Sequence, residues 1–199
     1  PLGADFHIGL DPSENHRVAQ LDVPEKPIDE IVDADPDSIA VRTFRSCVLD
    51  GTETETDEWR QAEIPAGGGI SNARSISRVH SAIACGGTID GVTLMNTETI
   101  EAALERQTFE RDLVLGLNVP YGTGFGVNHE RLPLTPSERT LYWFGWGGSM
   151  GVIDLDERIT ISYAMNKMAG GLVGDERAFN LVAAVYGAIG KSYILTSHG

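Results

Sequence analysis

The stretch Tyr142-Trp143-Phe144-Gly145-Trp146-Gly147-Gly148-Ser149-Met150-Gly151 joins a bulky apolar run to four glycines and then enters a second apolar segment. Glycines this dense within a strand pattern mark a close backbone approach, either to another strand or to a ligand whose reacting atom meets a main-chain N–H. The stretch therefore reads as a tight hairpin with a bulge, or as the wall of a binding site.

Downstream, Gly151 to Asp154, the turn Leu155-Asp156-Glu157-Arg158 and the run Ile159 to Met165 predict an antiparallel hairpin. A closing amphipathic helix is expected from about Asp175 to Ile189, with Phe179, Val182, Ala183, Tyr186 and Ile189 on its apolar face. Gly190-Lys191-Ser192 ends that helix rather than beginning one, so it reads as a C-cap and not as a phosphate loop.

Upstream, Tyr121 to Asn128 alternates small and large residues, as in a strand pressed against a close neighbour. A polar excursion, His129 to Arg139, separates it from the glycine stretch. Three further helices are expected. One is capped by Asn96 or Thr97 and runs through Leu104. One is capped by Ser71 or Asn72, with Ile76, Val79, His80 and Ile83 on one face and Gly86-Gly87 as its stop. One starts at Ser38 and carries Ile39, Val41, Phe44 and Val48 to a stop at Gly51. Pro24, Pro27 and Pro36 forbid long helices before Ser38. Strands followed by a helix in the last third give an α+β pattern.

The 199 residues are ample for a buried core, and no apolar run reaches the ~18 residues needed to span a bilayer. The net charge of −14 argues against nucleic acid, which is held by clustered Lys and Arg. The acidic runs Asp22 to Asp37 and Glu53 to Glu58 read as solvated loops, because neither has the oxygen spacing and turn glycine of a hard-cation site. Cys47 and Cys85 match no zinc spacing and read as free. Gly67-Gly68-Gly69 lacks the Gly-Lys-Ser/Thr of a phosphate loop. No cofactor or metal is implied. Of the histidines, His80 reads as a core or groove residue, whereas His129, beside Asn128 where a loop overhangs a cleft, is the substrate-side candidate.

Trp59-Arg60, Ile64-Pro65-Ala66, the block Gly69 to Arg78 and the block Ala82 to Gly87 together resemble the serine β-lactamase-related family of esterases and penicillin-recognising enzymes. So does Phe144-Gly145-Trp146-Gly147-Gly148, followed by a hairpin ending Tyr163-Ala164-Met165-Asn166. The resemblance implies a β-lactamase/transpeptidase-like α+β fold, a mainly antiparallel sheet with flanking helices plus a helical region. A helical and loop region is expected over 1–120, and sheet strands with a closing helix over 121–199.

In that family a Ser-x-x-Lys serine is the nucleophile, and a Lys-Thr-Gly-type third motif lies on an edge strand. Trp146-Gly147-Gly148 falls at the third motif and resembles the carboxylesterase branch, where tryptophan replaces a lysine suited to a carboxylate with an apolar wall. The resemblance then implies acyl transfer to a small ester, with Ser149 N–H in the oxyanion hole and Gly147 and Gly148 leaving room for the carbonyl, so that bulk there blocks acylation with a modest effect on folding. Trp146, Asn128 and His129 would contact substrate. No Ser-x-x-Lys is present: Ser71 is followed at the third position by Arg74, and Ser75 by Arg78. The expectation is therefore a C-terminal portion whose nucleophile comes from an N-terminal portion of the same enzyme, and which is inactive alone. The alternatives are a non-catalytic binding or scaffold protein, and β-lactamase or D-Ala-D-Ala peptidase activity.

Overall fold

The computed structural model describes residues 1–24, 35–46 and 50–191. Pro27, Asp29 to Ala34, Cys47, Val48 and Ser192, which figure in the sequence reading, lie outside the described residues. The strands are β1 (Phe6–Ile8), β2 (Gly69–Ser71), β3 (Thr88–Ile89), β4 (Val92–Thr93), β5 (Gly126–Val127), β6 (Thr140–Phe144), β7 (Met150–Asp154) and β8 (Ile159–Tyr163). The α-helices are α1 (Ile39–Ser46), α2 (Asp57–Gln61), α3 (Ala73–Ala84), α4 (Thr97–Leu104) and α5 (Glu176–Ala188).

The main sheet has the order β5-β6-β7-β8, antiparallel throughout. Side chains alternate across it, so one hydrophobic core forms on each face. Tyr142, Val152 and Ile161 stand in register and bury against Ala178, Val182 and Tyr186 of α5. Leu141 and Ile153, one residue out of phase, bury against Ile83 of α3 and Ile100 and Ala103 of α4. Among the described residues β8 pairs only with β7, so its outer edge is open.

Caps set the helix starts. Asn72, Asn96 and Asp175 each accept a first-turn N–H, from Ser75, Thr99 and Arg177, and Ser38 Oγ accepts from Val41 N at 3.2 Å. At the end of α5, Gly190 takes φ +75° and Lys191 N–H returns to Tyr186 O, as a C-cap requires.

Two local readings are corrected. Ile189 is 45% exposed and lies off the buried face of α5, because it is the C-cap residue and no longer follows the helical period. The acidic run Glu53 to Glu58 is not plain loop but a 3-10 turn (Thr52–Glu55) leading into α2. Its carboxylates hold the backbone in place, since Glu53 accepts from Gly51 N–H and Glu55 from Leu21 N–H and Arg60. The triple glycine ends in a strand, as Gly69–Ser71 pairs antiparallel with Phe6–Ile8. No helix among the described residues is long and apolar enough to cross a membrane.

Candidate functional site

β6 ends at Phe144 and β7 begins at Met150, so Gly145 to Ser149 forms the connection. It is closed by Gly145 N–H to Ser149 O at 2.7 Å and Gly148 N–H to Gly145 O at 3.1 Å. Gly147 and Gly148 adopt φ +89° and +117°, which only glycine reaches without strain. The stretch is a tight turn, and Gly145 and Ser149 within it line a cavity.

That cavity, about 180 Å³, lies between α3 and the β6–β7 end of the sheet. Ile76 and His80 come from α3, Trp143 from β6, Gly151 and Ile153 from β7, and Ser149 from the turn, with Phe125 and Tyr163 also on the lining. Gly151 makes space for the imidazole, since a Cβ there would sit 2.6 Å from His80 Cε1. His80 Nδ1 and the hydroxyl of Ser162, the β8 partner of Gly151, are both shielded from solvent with no hydrogen-bond partner among the described residues. The lining is thus mainly apolar, with two unused polar atoms in the layer between α3 and the sheet. Trp143 is 40% exposed, and its ring is 5.5 Å from that of Tyr121.

Burial lowers the His80 pKa from its ordinary 6.5, because desolvation disfavours the charged ring. The unfolded chain therefore binds the proton more readily. Stability carried by neutral His80 is complete above about pH 6.5 and is lost as pH falls from there through the lower folded value. Urea midpoints at pH 8 and pH 5.5 should show this fall in the wild type and a smaller fall in His80→Asn.

The expected site residues separate. Ser149 lines the cavity; its hydroxyl accepts from Met165 N–H at 3.2 Å, and its own N–H has no acceptor among the described residues. Trp146, three residues beyond Trp143, lies in the turn and not on the cavity lining, and its indole N–H is buried without a partner among the described residues. The expectation that bulk at Gly147 or Gly148 has only a modest effect on folding is corrected. A Cβ at Gly147 would stand 2.7 Å from Met168 Cγ, and one at Gly148 would stand 2.7 Å from Asp175 Oδ2. Their missing side chains make room for the protein's own 165–175 segment, and bulk at either position strains the fold.

Asn128 and His129 line a different and larger cavity, about 700 Å³, which shares no lining residue with the first. Asn128 N–H bonds Thr140 O at the opposite end of β6 from the glycine turn. Its amide is fully engaged inside the loop, donating to Thr135 O and Ser137 O and accepting from Leu134 N–H. The ring of His129 stacks on Phe109 at 4.1 Å. Trp143, missed in the sequence, shares its strand parity with buried Leu141, and that pairing was the signal that it faces α3.

A family model described as Beta-lactamase matches residues 1–185. The chain belongs to that family. Two solved structures of similar fold are a penicillin-binding protein homolog from Caulobacter crescentus (34% identity, TM-score 0.82) and a family VIII carboxylesterase (32% identity, TM-score 0.81). Each is matched over 94% of this beta-lactamase-family chain, but over 49% and 48% of its own length. Esterase/beta-lactamase LipL of Mycobacterium tuberculosis is 30% identical over 120 residues, 59% of this chain and 27% of that protein. The chain therefore spans about half the length of these solved relatives, and less of the curated one. Among the described residues no group of three or more His, Cys, Asp or Glu is placed to hold a metal ion.

Proposed function

We propose that this chain supplies one wall of a serine hydrolase site of the carboxylesterase type, with the nucleophilic serine carried by an N-terminal portion of the same enzyme. The observation that carries the reading is the mainly apolar cavity beside Trp143, lined in part by Ser149, whose main-chain N–H has no acceptor among the described residues. An ester's acyl or alcohol arm suits such a pocket better than a carboxylate does, since burying an unpaired charge is costly. The 34% and 32% identities to a penicillin-binding protein homolog and a carboxylesterase agree with acyl-transfer chemistry.

In this mechanism the serine attacks the ester carbonyl and the alcohol leaves. The resulting acyl-enzyme is then hydrolysed by water. Ser149 N–H donates to the oxyanion of each tetrahedral intermediate, and the loss of one such donor elsewhere costs about 2.7–4 kcal/mol.

Mass spectrometry of the native sample should find an N-terminal companion containing Ser-x-x-Lys. The complex should hydrolyse p-nitrophenyl acetate and butyrate in preference to a chromogenic cephalosporin, and Trp143→Ala should lower kcat/KM about tenfold or more through lost apolar contact. A companion without Ser-x-x-Lys ends the esterase reading. An intact complex that a fluorophosphonate fails to label points instead to a binding or scaffold role.

A further inference from the structure

The first turn of α5 contains a residue in an unfavourable place. Arg177 is the second residue of the helix, where a cation opposes the positive end of the macrodipole. Its guanidinium nevertheless makes four hydrogen bonds. It grips the N-cap Asp175 in a bidentate pair, Nε to Oδ1 at 2.8 Å and Nη2 to Oδ2 at 2.7 Å. It also donates to Lys167 O at 3.0 Å and, thirty residues back, to Gly147 O at 3.2 Å, with the Tyr163 ring 5.7 Å from its carbon. The Asp175 side chain is only 5% exposed.

We infer that Arg177 and Asp175 form a clamp that fixes the orientation of the Gly147–Gly148 peptide, making Arg177 a positioning residue for the neighbouring Ser149 N–H. Two glycines in succession at positive φ give the backbone latitude to rotate, and a flip of the adjoining Gly148–Ser149 peptide would redirect the Ser149 N–H. The Gly147–Gly148 peptide is held at three points, two of them by the clamp. The Gly147 carbonyl accepts from Arg177 and from Ala169 N–H at 2.8 Å, and Gly148 N–H is tied to Gly145 O. The Asp175 carboxylate, held by Arg177, packs directly against Gly148. A guanidinium suits the task because one rigid fork can hold a carboxylate and still reach a carbonyl.

The inference rests on the proposed oxyanion role of Ser149 N–H for its catalytic meaning, and on hydrogen exchange for its structural meaning. In the complex with the N-terminal portion, Arg177→Met should lower kcat for p-nitrophenyl acetate tenfold or more while KM changes less than twofold. Exchange at the Gly147 to Met150 amides should quicken at least tenfold, while that of Val152 and Ile161 stays within twofold. Arg177→Lys, which keeps the charge and loses the fork, should recover part of both losses, and it carries the same comparison should Arg177→Met fail to fold. Unchanged exchange at Gly147 to Met150, or an equal rise along β7 and β8, overturns the clamp. If the wild-type complex shows no esterase activity, the proposed function falls while the exchange data still decide the clamp.

Discussion

Gly148→Val is expected to destabilise the protein by about 3 kcal/mol or more, read as a lowered urea midpoint. Two costs combine. A non-glycine residue at φ +117° carries backbone strain of about 1–3 kcal/mol. A side chain 2.7 Å from the Asp175 carboxylate adds overpacking of about 1–3 kcal/mol, because that carboxylate is held in place by Arg177. Gly86→Ala separates the two contributions. Gly86 has φ +83°, and a Cβ there would meet nothing within 4 Å, so it should show the strain alone, about 1 kcal/mol. Equal losses in the two variants would remove the crowding argument.

Asp154→Ala should cost about as much from the opposite face of the chemistry. Asp154 is fully buried at the end of β7, and its Oδ1 accepts from Asp156 and Glu157 N–H, both at 2.9 Å. Its Oδ2 accepts from the hydroxyl of Tyr186 on α5, also fully buried. One carboxylate thus shapes the β7–β8 turn and docks the closing helix. Hydrogen bonds to a charged group are worth about 1.5–3 kcal/mol each, so losing three should exceed about 3 kcal/mol. Tyr186→Phe removes one and should cost about 1.5–3 kcal/mol. Urea unfolding measures both, and a loss below about 1 kcal/mol in Asp154→Ala would show that water replaces the carboxylate.

The parts of the fold legible in the sequence are those set by local periodicity. The β7–β8 hairpin announces itself by two apolar runs around Leu155-Asp156-Glu157-Arg158, and α3 and α5 by their 3.6-residue spacing and Asn or Asp caps. β1 and β2 are three residues each, too short for alternation to show, and pair across more than sixty residues. The glycine turn was legible as a close approach, but not what approaches. Met168 and Asp175 lie some twenty to thirty residues later, and only the folded chain brings them to Gly147 and Gly148. The same limit separates Trp143 from Trp146. Both flank Gly145, and it is the strand ending at Phe144 that leaves one at the cavity and the other in the turn.

The open edge of β8 bears on how the molecule behaves in solution. Ile159-Thr160-Ile161-Ser162-Tyr163 carries no charge and no proline, and its outer ladder is unpaired among the described residues, which makes it a template for strand addition. Between uncovered copies, the net charge of −14 is the opposing force. Its range shrinks from roughly 30 Å at 0.01 M salt to roughly 10 Å at 0.1 M. Raising the ionic strength should therefore shorten the time an uncovered chain remains monomeric.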